Sequence, residues 1–326
     1  MSTRHLLTIR SLETPIIEEL IENAKLFRAK VLAGETLTAN PSRVVGLVFF
    51  EGSTRTRVSF EQAAHYLGYR TTNFASQGSS MAKGETLRDT ILTLRYERLE
   101  GLVIRHPASG SAQLAAQFFG SPVLNAGDGQ HEHPTQALGD ALTILDRKGR
   151  IEGLTVAIVG DILHSRVARS NAWLLSKLGA TVRFVAPRTL MPSHMALMPG
   201  QTYYDLAAGI EGADVIMCLR LQRERMDSGL VSIGEFRRAY QINARTLKYA
   251  KKDCLVMHPG PINRGVELDD AAADGVSSAI RDQVENSIFV RMAAYDWVFG
   301  GHAAAGLKPS AKTSAKRPKS GSGGKK

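Results

Sequence analysis

The stretch FEGSTRTRVSFE, residues 50–61, decides the fold. It follows the apolar run 46–50, which has the composition of a buried strand, and it overlaps residues 58–67, which carry apolar side chains at helical spacing. A strand therefore passes directly into a helix, and hydroxyl and guanidinium groups fill the junction. The first turn of a helix has free N–H groups and the positive end of a dipole, so this junction favours an anion.

A simpler interpretation is that Ser53 or Thr54 only caps the helix while Arg55 and Arg57 remain in solvent. A cap needs one hydroxyl group, whereas this cluster contains three hydroxyl groups and two arginines. The cluster therefore favours an oxyanion site, and phosphate is the oxyanion that fits best.

Strand-like and helix-like segments alternate along most of the chain, and the pattern restarts near residues 149–153 with a new strand at 154–159. This alternation predicts two tandem α/β domains with parallel sheets and helices on both faces. We expect a first domain at 1–148, a second at 149–283, a C-terminal helix at 284–302 that packs back on the first domain, and a disordered basic tail at 303–326.

The formal charge of +10 belongs mainly to the tail. Residues 307–326 hold seven of the 41 basic residues and none of the 31 acidic ones, so the rest of the chain carries an excess of only three positive charges. A nucleic-acid-binding or regulatory protein is the alternative that this tail supports, and it predicts steeply salt-dependent binding. Nucleic acid is an unlikely partner for the remainder of the chain.

Cys218 and Cys254 are the only cysteines, which is too few for a disulfide framework or a paired-cysteine metal site. Residues 1–10 lack the apolar core of a signal peptide, and no apolar run reaches the length of a membrane span. We expect a cytoplasmic protein without a membrane partner. Gly160 ends a strand, but the GxGxxG and P-loop motifs are absent, and no metal constellation is evident.

Polar side chains follow several strands of the first half, and ligands of parallel sheets collect beyond the carboxyl ends of strands. Arginines bind phosphate oxygens in pairs, a lysine adds a point charge, and hydroxyls add neutral donors. Together they suit a dianionic phosphoryl group. The candidate residues are Ser53, Thr54, Arg55, Thr56, Lys83, Arg105, His133 and Gln136.

His133 and Gln136 lie on the first turn of a predicted helix, where they could hold a carbonyl group and its amide nitrogen. Taken alone, His133 would more simply be a structural histidine. The second half adds Arg166, Arg220 and Gln222 after predicted strands. Each arginine alone could form a surface salt bridge, but two arginines on one cleft indicate a ligand with more than one carboxylate.

These residues suit the joining of a phosphorylated carbonyl donor to a dicarboxylate acceptor. Five motifs then resemble, in order, those of aspartate carbamoyltransferase catalytic chains. They are FEGSTRTRVSFE at 50–61, KGET at 83–86, HPTQ at 133–136, RLQ at 220–222 and HPGP at 258–261. The resemblance extends over about residues 5–302, and STRTR and HPTQ are highly specific to carbamoyltransferases.

Ornithine carbamoyltransferases typically carry HCLP and an SMG motif, whereas this chain has HPGP at 258–261 and no SMG. The resemblance therefore favours aspartate over ornithine as the acceptor. It implies transfer of the carbamoyl group of carbamoyl phosphate to the amino group of L-aspartate, in de novo pyrimidine biosynthesis, without a cofactor or metal. The intact set of site residues disfavours an inactive scaffold homologue.

The resemblance also assigns roles to residues on the donor side of the site. Thr56, Arg105 and His133 would polarise the carbonyl oxygen, and Gln136 would bind the carbamoyl nitrogen. The residues that would hold carbamoyl phosphate are Ser53, Thr54, Arg55, Thr56 and Arg105.

On the acceptor side, Arg166, Arg220 and Gln222 would hold the two carboxylates of aspartate, assisted by Lys83. Backbone carbonyls of Pro259 and Gly260 would line the site.

In members of the family that this chain resembles, the loop that corresponds to Ser79 and Lys83 reaches into the neighbouring subunit's site. The resemblance therefore implies a homotrimer with shared sites. A regulatory chain or a dihydroorotase is the further partner that it leaves open.

Overall fold

The computed structural model describes residues 3–37, 40, 42–75, 84–222 and 232–301. Ser79, Lys83 and the basic tail at 303–326 lie outside these residues. In the part of the chain that is described, no helix is long and apolar enough to cross a membrane.

The first α/β domain is built on a four-stranded parallel sheet with the order β2-β1-β3-β4. Its strands are β1 (Val44–Phe49), β2 (Arg70–Ala75), β3 (Gly101–His106) and β4 (Val123–Asp128). Its helices are α1 (Thr14–Leu32), α2 (Thr54–Tyr66), α3 (Leu87–Tyr96), α4 (Ser111–Phe119) and α5 (Pro134–Lys148).

The second domain is built on a five-stranded parallel sheet with the order β7-β6-β5-β8-β9. Its strands are β5 (Thr155–Val159), β6 (Thr181–Val185), β7 (Gln201–Tyr203), β8 (Val215–Cys218) and β9 (Leu255–Met257). The remaining helices are α6 (Arg166–Lys177), α7 (Leu206–Ile210), α8 (Ile233–Tyr240), α9 (Asp270–Asp274) and α10 (Ile280–Val298). The predicted fold of two parallel-sheet α/β domains is confirmed.

Helix α5 shows how the local sequence sets the ends of an element. Pro134 occupies its first turn, where the missing N–H costs nothing, and Gly149 ends it with a φ of 74°. The helix lies between α10 and α6, and its residues from Pro134 to Ile144 are all buried. Its polar residues in that range must therefore form hydrogen bonds within the protein.

The C-terminal helix α10 returns to the first domain and packs on α1, α2 and α5, as the sequence predicts. It begins at Ile280, four residues before the expected start at residue 284, and its first turn includes the buried Gln283. The boundary that we propose between residues 148 and 149 lies between α5 and β5.

Helix α2 begins at Thr54, four residues earlier than the apolar periodicity from residue 58 indicates. The polar cluster therefore forms the first helical turn itself. Strand β7 and the short helices α7 and α9 have no counterpart in the sequence prediction. Each is only three to five residues long, which is too short for a periodic signal.

Candidate active site

A cleft of about 1060 Å³ opens where loops at the carboxyl ends of both sheets face each other. The first domain contributes the start of α2, Arg105 of β3 and the start of α5. The second domain contributes the start of α6 and the loops after β8 and β9, and α10 completes the wall. This is the edge at which parallel sheets bind ligands.

The charges of this cleft are strongly unbalanced. Among the described residues that line it there is one carboxylate, Glu51, against five arginines. The five are Arg55, Arg105, Arg166, Arg220 and Arg291. Such a concentration of guanidinium groups in a concave site favours ligands with several negative charges.

Glu51 joins the two sides of the cleft. Phe49 at the end of β1 pairs with Arg105 of β3, so Glu51 comes close to that arginine. Its Oε1 atom accepts a hydrogen bond from Arg105 Nε at 2.7 Å and another from the guanidinium of Arg166 in the second domain. One carboxylate therefore bridges a cation of each domain.

The first turn of α2 supplies hydroxyl groups to the cleft. Ser53 is the N-cap residue, and no hydrogen bond of its side chain to the helix start is present in the described chain. Its hydroxyl is therefore not used as a cap. Thr56 is buried, and its Oγ1 accepts a hydrogen bond from Arg105 at 3.3 Å.

Arg55 extends from α2 towards the loop after β9. A Cβ atom on Gly260 would lie 1.9 Å from both terminal nitrogens of Arg55, and Gly260 has a φ of 63°. A residue with a side chain at position 260 would therefore adopt an unfavourable backbone conformation and displace the guanidinium from this place. The loop of one domain is thus shaped around an arginine of the other.

His133 precedes α5 and is 3% exposed. Its backbone N–H donates to Ser170 Oγ at 2.8 Å, and no described group forms a hydrogen bond with its Nδ1 atom. Burial lowers the pKa of His133 well below 6.5, and the positive charges of Arg105, Arg291 and Arg166 act in the same direction. The imidazole is therefore neutral at pH 7.

Gln136 lies one turn into α5 and is 8% exposed. Its Nε2 atom donates to Oδ1 of the buried Asp140 at 2.8 Å. One of its two N–H groups is therefore used within the protein, and the amide oxygen is the group that can accept a hydrogen bond from a ligand.

On the second-domain side, Arg166 is the first residue of α6, whose cap Ser165 accepts from Ala168 N at 3.1 Å. Gln222 is held by the loop after β5. Its backbone N–H donates to Asp161 Oδ2 at 3.2 Å, and its side-chain amide donates to the carbonyl of His164 at 3.1 Å. Arg220 is half-buried and lines the same wall.

The loop after β9 is fixed by the buried His258. Its Nδ1 accepts from Gly260 N at 2.7 Å, and its Nε2 lies 3.2 Å from Oε1 of the buried Glu267. The backbone of Pro259 and Gly260 is thereby held against the cleft.

The structure brings together every described residue that the sequence predicts for the site. Those that line the cleft are Ser53, Thr54, Arg55, Thr56, Arg105, His133, Gln136, Arg166, Arg220, Gln222, Pro259 and Gly260. Ser79 and Lys83 lie outside the described residues. Arg57 is exposed and does not line the cleft.

Sequence reasoning missed Glu51, Ser59 and Arg291 as cleft residues. Arg291 is 2% exposed, donates to Ser59 Oγ, and stacks over the Phe60 ring at 4.9 Å. Burial lowers its pKa to about 9, so it remains charged at pH 7. An arginine within the apolar segment 288–298 is a signal that could have found it.

Two family models match consecutive parts of the chain. The carbamoyl phosphate-binding domain of aspartate/ornithine carbamoyltransferases matches residues 4–146, and the aspartate/ornithine-binding domain matches residues 152–298. The chain belongs to the aspartate/ornithine carbamoyltransferase family.

Individual members of this family are similar over nearly their whole length. An aspartate carbamoyltransferase catalytic subunit from Azorhizobium caulinodans is 50% identical over 301 residues, which is 91% of this chain and 93% of the relative.

Solved structures of the family have the same fold. The aspartate transcarbamoylase of Trypanosoma cruzi, in complex with carbamoyl aspartate and phosphate, superposes with a TM-score of 0.82 at 34% identity, covering 90% of this chain and 95% of that one. The ornithine carbamoyltransferase of Pyrococcus furiosus superposes with a TM-score of 0.84 at 29% identity, covering 92% and 98%. The overall fold therefore does not separate the two acceptors.

The neutral state of His133 is testable because the pKa of His131, two residues away, is shifted upwards while that of His133 is shifted downwards. Its hydrogen bond to Asp128 raises the pKa of His131. We expect NMR of histidine-labelled protein, assigned with His131→Gln and His133→Gln variants, to show His131 titrating above pH 6.5 and His133 unprotonated between pH 6 and 8.

Unfolded His133 takes up a proton near pH 6.5 and the folded residue does not, so it reduces stability as the pH falls below that value. Titration of His133 at or above pH 6.5 in the folded protein would contradict the assignment.

Proposed function

We propose that this protein transfers the carbamoyl group of carbamoyl phosphate to the amino group of L-aspartate, which gives N-carbamoyl-L-aspartate and phosphate for de novo pyrimidine biosynthesis. The observation that carries the proposal is one cleft in which the STRTR turn at 53–57 and the arginines of a second domain face the same space. The 50% identity to the Azorhizobium catalytic subunit supports aspartate as the acceptor.

The phosphate of the donor would bind at the first turn of α2. Ser53, Thr54 and Thr56 supply hydroxyl groups there, the helix supplies free N–H groups, and Arg55 and Arg105 supply charge. These donors would also stabilise phosphate as it departs.

The carbonyl of the donor would lie between Thr56, Arg105 and His133. Thr56 and Arg105 are already in contact at 3.3 Å, and His133 is neutral, so its ring can donate a hydrogen bond without bringing a further charge. Donors directed at this oxygen stabilise the oxyanion that forms when the carbonyl carbon is attacked. Gln136 would accept a hydrogen bond from the carbamoyl nitrogen.

The acceptor would bind on the second-domain side. Arg166 and Arg220 carry the two positive charges that a dicarboxylate needs, and Gln222 adds an amide that is fixed through Asp161 and His164. We propose that Lys83 assists them and that the carbonyls of Pro259 and Gly260 line the site. The acceptor amine would then face the donor carbonyl across the cleft.

In the reaction, the neutral amine of aspartate attacks the carbonyl carbon. A C–N bond forms, the C–O bond to phosphate breaks, and the departing phosphate accepts the proton that the amine loses. The side chains bind, orient and stabilise charge, and none of them has to act as the base. Closing the two domains over the substrates would exclude water from the donor.

We also propose a homotrimer in which Ser79 and Lys83 of one subunit complete the site of the next, in the cytoplasm. Relatives are named catalytic subunits, which supports association of such a trimer with a regulatory chain or a dihydroorotase.

The acceptor assignment is tested by measuring carbamoylated product from carbamoyl phosphate with L-aspartate and, separately, with L-ornithine. We expect product with aspartate and none above background with ornithine, since Arg166 and Arg220 suit two carboxylates. Arg105→Ala should lower kcat/KM by about a hundredfold or more, because a half-buried charge contact to the donor is lost. Arg70→Ala is the matched control, since Arg70 is exposed and contacts Ser42 instead of the cleft. Turnover of ornithine but not aspartate would overturn the proposal.

Shared sites predict complementation between two inactive variants. Lys83→Ala and Arg55→Ala chains should each be nearly inactive, yet a mixture that exchanges subunits should regain activity, because some sites then receive both intact residues. The measurement is the rate of carbamoyl aspartate formation before and after mixing. Absence of recovery, with subunit exchange verified by differently tagged chains, would exclude sites that are shared through Lys83.

A further inference from the structure

A buried chain of hydrogen bonds runs beneath the cleft from the second domain to the first. The backbone N–H of His258 donates to Gln283 Oε1 at 2.9 Å, and Gln283 Nε2 donates to Asp140 Oδ1 at 2.8 Å. Gln136 Nε2 donates to the same oxygen at 2.8 Å, and Asn171 Nδ2 donates to Asp140 Oδ2 at 2.8 Å. All five residues are buried, and Asp140 is 0% exposed.

The direction of every bond in this chain follows from two groups whose roles cannot be exchanged, the backbone N–H of His258 and the carboxylate of Asp140. A backbone N–H can only donate, so the Gln283 oxygen must face His258 and its nitrogen must face Asp140. The ionised carboxylate of Asp140 can only accept, so Gln136 can bind there only through its own nitrogen. Since an amide has two different ends, the oxygen of Gln136 is left for the cleft.

We propose that Asp140 is a positioning residue that selects the carbamoyl group of the donor by accepting from the Gln136 amide nitrogen and so holding the amide oxygen towards the carbamoyl NH₂. This inference rests on the proposed function, in which Gln136 binds the carbamoyl nitrogen. It explains why a carboxylate and three amides are buried together next to the contact between α5 and α10.

The charge state of Asp140 agrees with this geometry. Burial raises its pKa to about 6, and the three amide donors from Gln283, Asn171 and Gln136 act in the opposite direction. At pH 7 the Asp140 carboxyl is therefore mainly ionised, and its two oxygens accept hydrogen bonds from three N–H groups.

The role predicts selectivity between two donors of nearly the same shape. Acetyl phosphate has a methyl group in place of the NH₂ group of carbamoyl phosphate, so it cannot donate to Gln136. If the Gln136 amide were reversed, its NH₂ group would face the NH₂ group of carbamoyl phosphate. Carbamoyl phosphate would then lose a hydrogen bond, whereas acetyl phosphate would not. The expected loss is about tenfold to a hundredfold for one unsatisfied buried donor.

Two double variants relocate the single negative charge within this cluster. In Asp140→Asn with Gln283→Glu, the carboxylate is at position 283 and accepts from the His258 N–H and from the amide nitrogen at position 140. That nitrogen also faces Gln136. Gln136 must then accept through its oxygen, so its amide reverses. In Asp140→Asn with Asn171→Asp, the new asparagine donates towards position 171 and still accepts from Gln283 and Gln136. The first variant reverses the Gln136 amide and the second preserves it, at equal net charge.

The experiment measures kcat/KM for carbamoyl phosphate and the inhibition constant of acetyl phosphate against it, in the full-length wild type and in both variants. We expect the reversing variant to lower kcat/KM for carbamoyl phosphate about tenfold to a hundredfold and to change the acetyl phosphate inhibition constant by less than about threefold. In the preserving variant, the change in kcat/KM for carbamoyl phosphate and the change in acetyl phosphate affinity should agree within about threefold, so that the selectivity between the two donors stays that of the wild type.

Wild-type selectivity in the reversing variant, or lost selectivity in the preserving variant, would each overturn the role of Asp140. Circular dichroism and thermal unfolding establish that each variant is folded, and either one alone decides the question if the other does not fold. A wild type that does not carbamoylate aspartate would instead overturn the proposed function, so the two failures are distinguishable.

Discussion

The site depends on a single carboxylate between two cations from different domains. Glu51 accepts hydrogen bonds from Arg105 of the first domain and Arg166 of the second. Without it, like charges would face each other across the cleft, and at an effective dielectric constant near 20 two unit charges on the order of 6 Å apart repel by about 3 kcal/mol. With it, the remaining arginines still exceed the acidic groups of the described lining. The cleft is therefore held together and still requires anionic ligands, which is the condition for a site that binds two anionic substrates.

The rest of the fold serves to place these charges. Parallel strands put the start of α2 beside Arg105, and the second sheet puts Arg166, Arg220 and the loop after β9 opposite them. Helix α10 then crosses back to the first domain, where its Arg291 adds a buried charge and its Gln283 joins the loop at His258 to Asp140. The helix that stabilises the interface between domains thus also holds the carboxylate that orients Gln136.

Much of this was predictable from the sequence, and the omissions have physical reasons. The hydroxyls of Ser53, Thr54 and Thr56 and the guanidinium of Arg55 predict an anion site because they lie where a strand passes into a helix. Apolar periodicity nevertheless placed the start of α2 four residues too late, because the first turn faces the ligand instead of the core. Gln283 was missed because the predicted start of α10 at residue 284 excluded the polar first turn that contains it. The role of Glu51 could not be predicted from its neighbours in sequence, because it depends on a contact with Arg166, which is distant along the chain.

The most direct test of this account is a crystal structure of the protein with a bisubstrate analogue that carries a phosphonate and an aspartyl group. We expect the phosphonate at the first turn of α2 with Arg55 and Arg105, and the two carboxylates at Arg166 and Arg220. A phosphonate bound away from the start of α2, or carboxylates without contact to either Arg166 or Arg220, would contradict it.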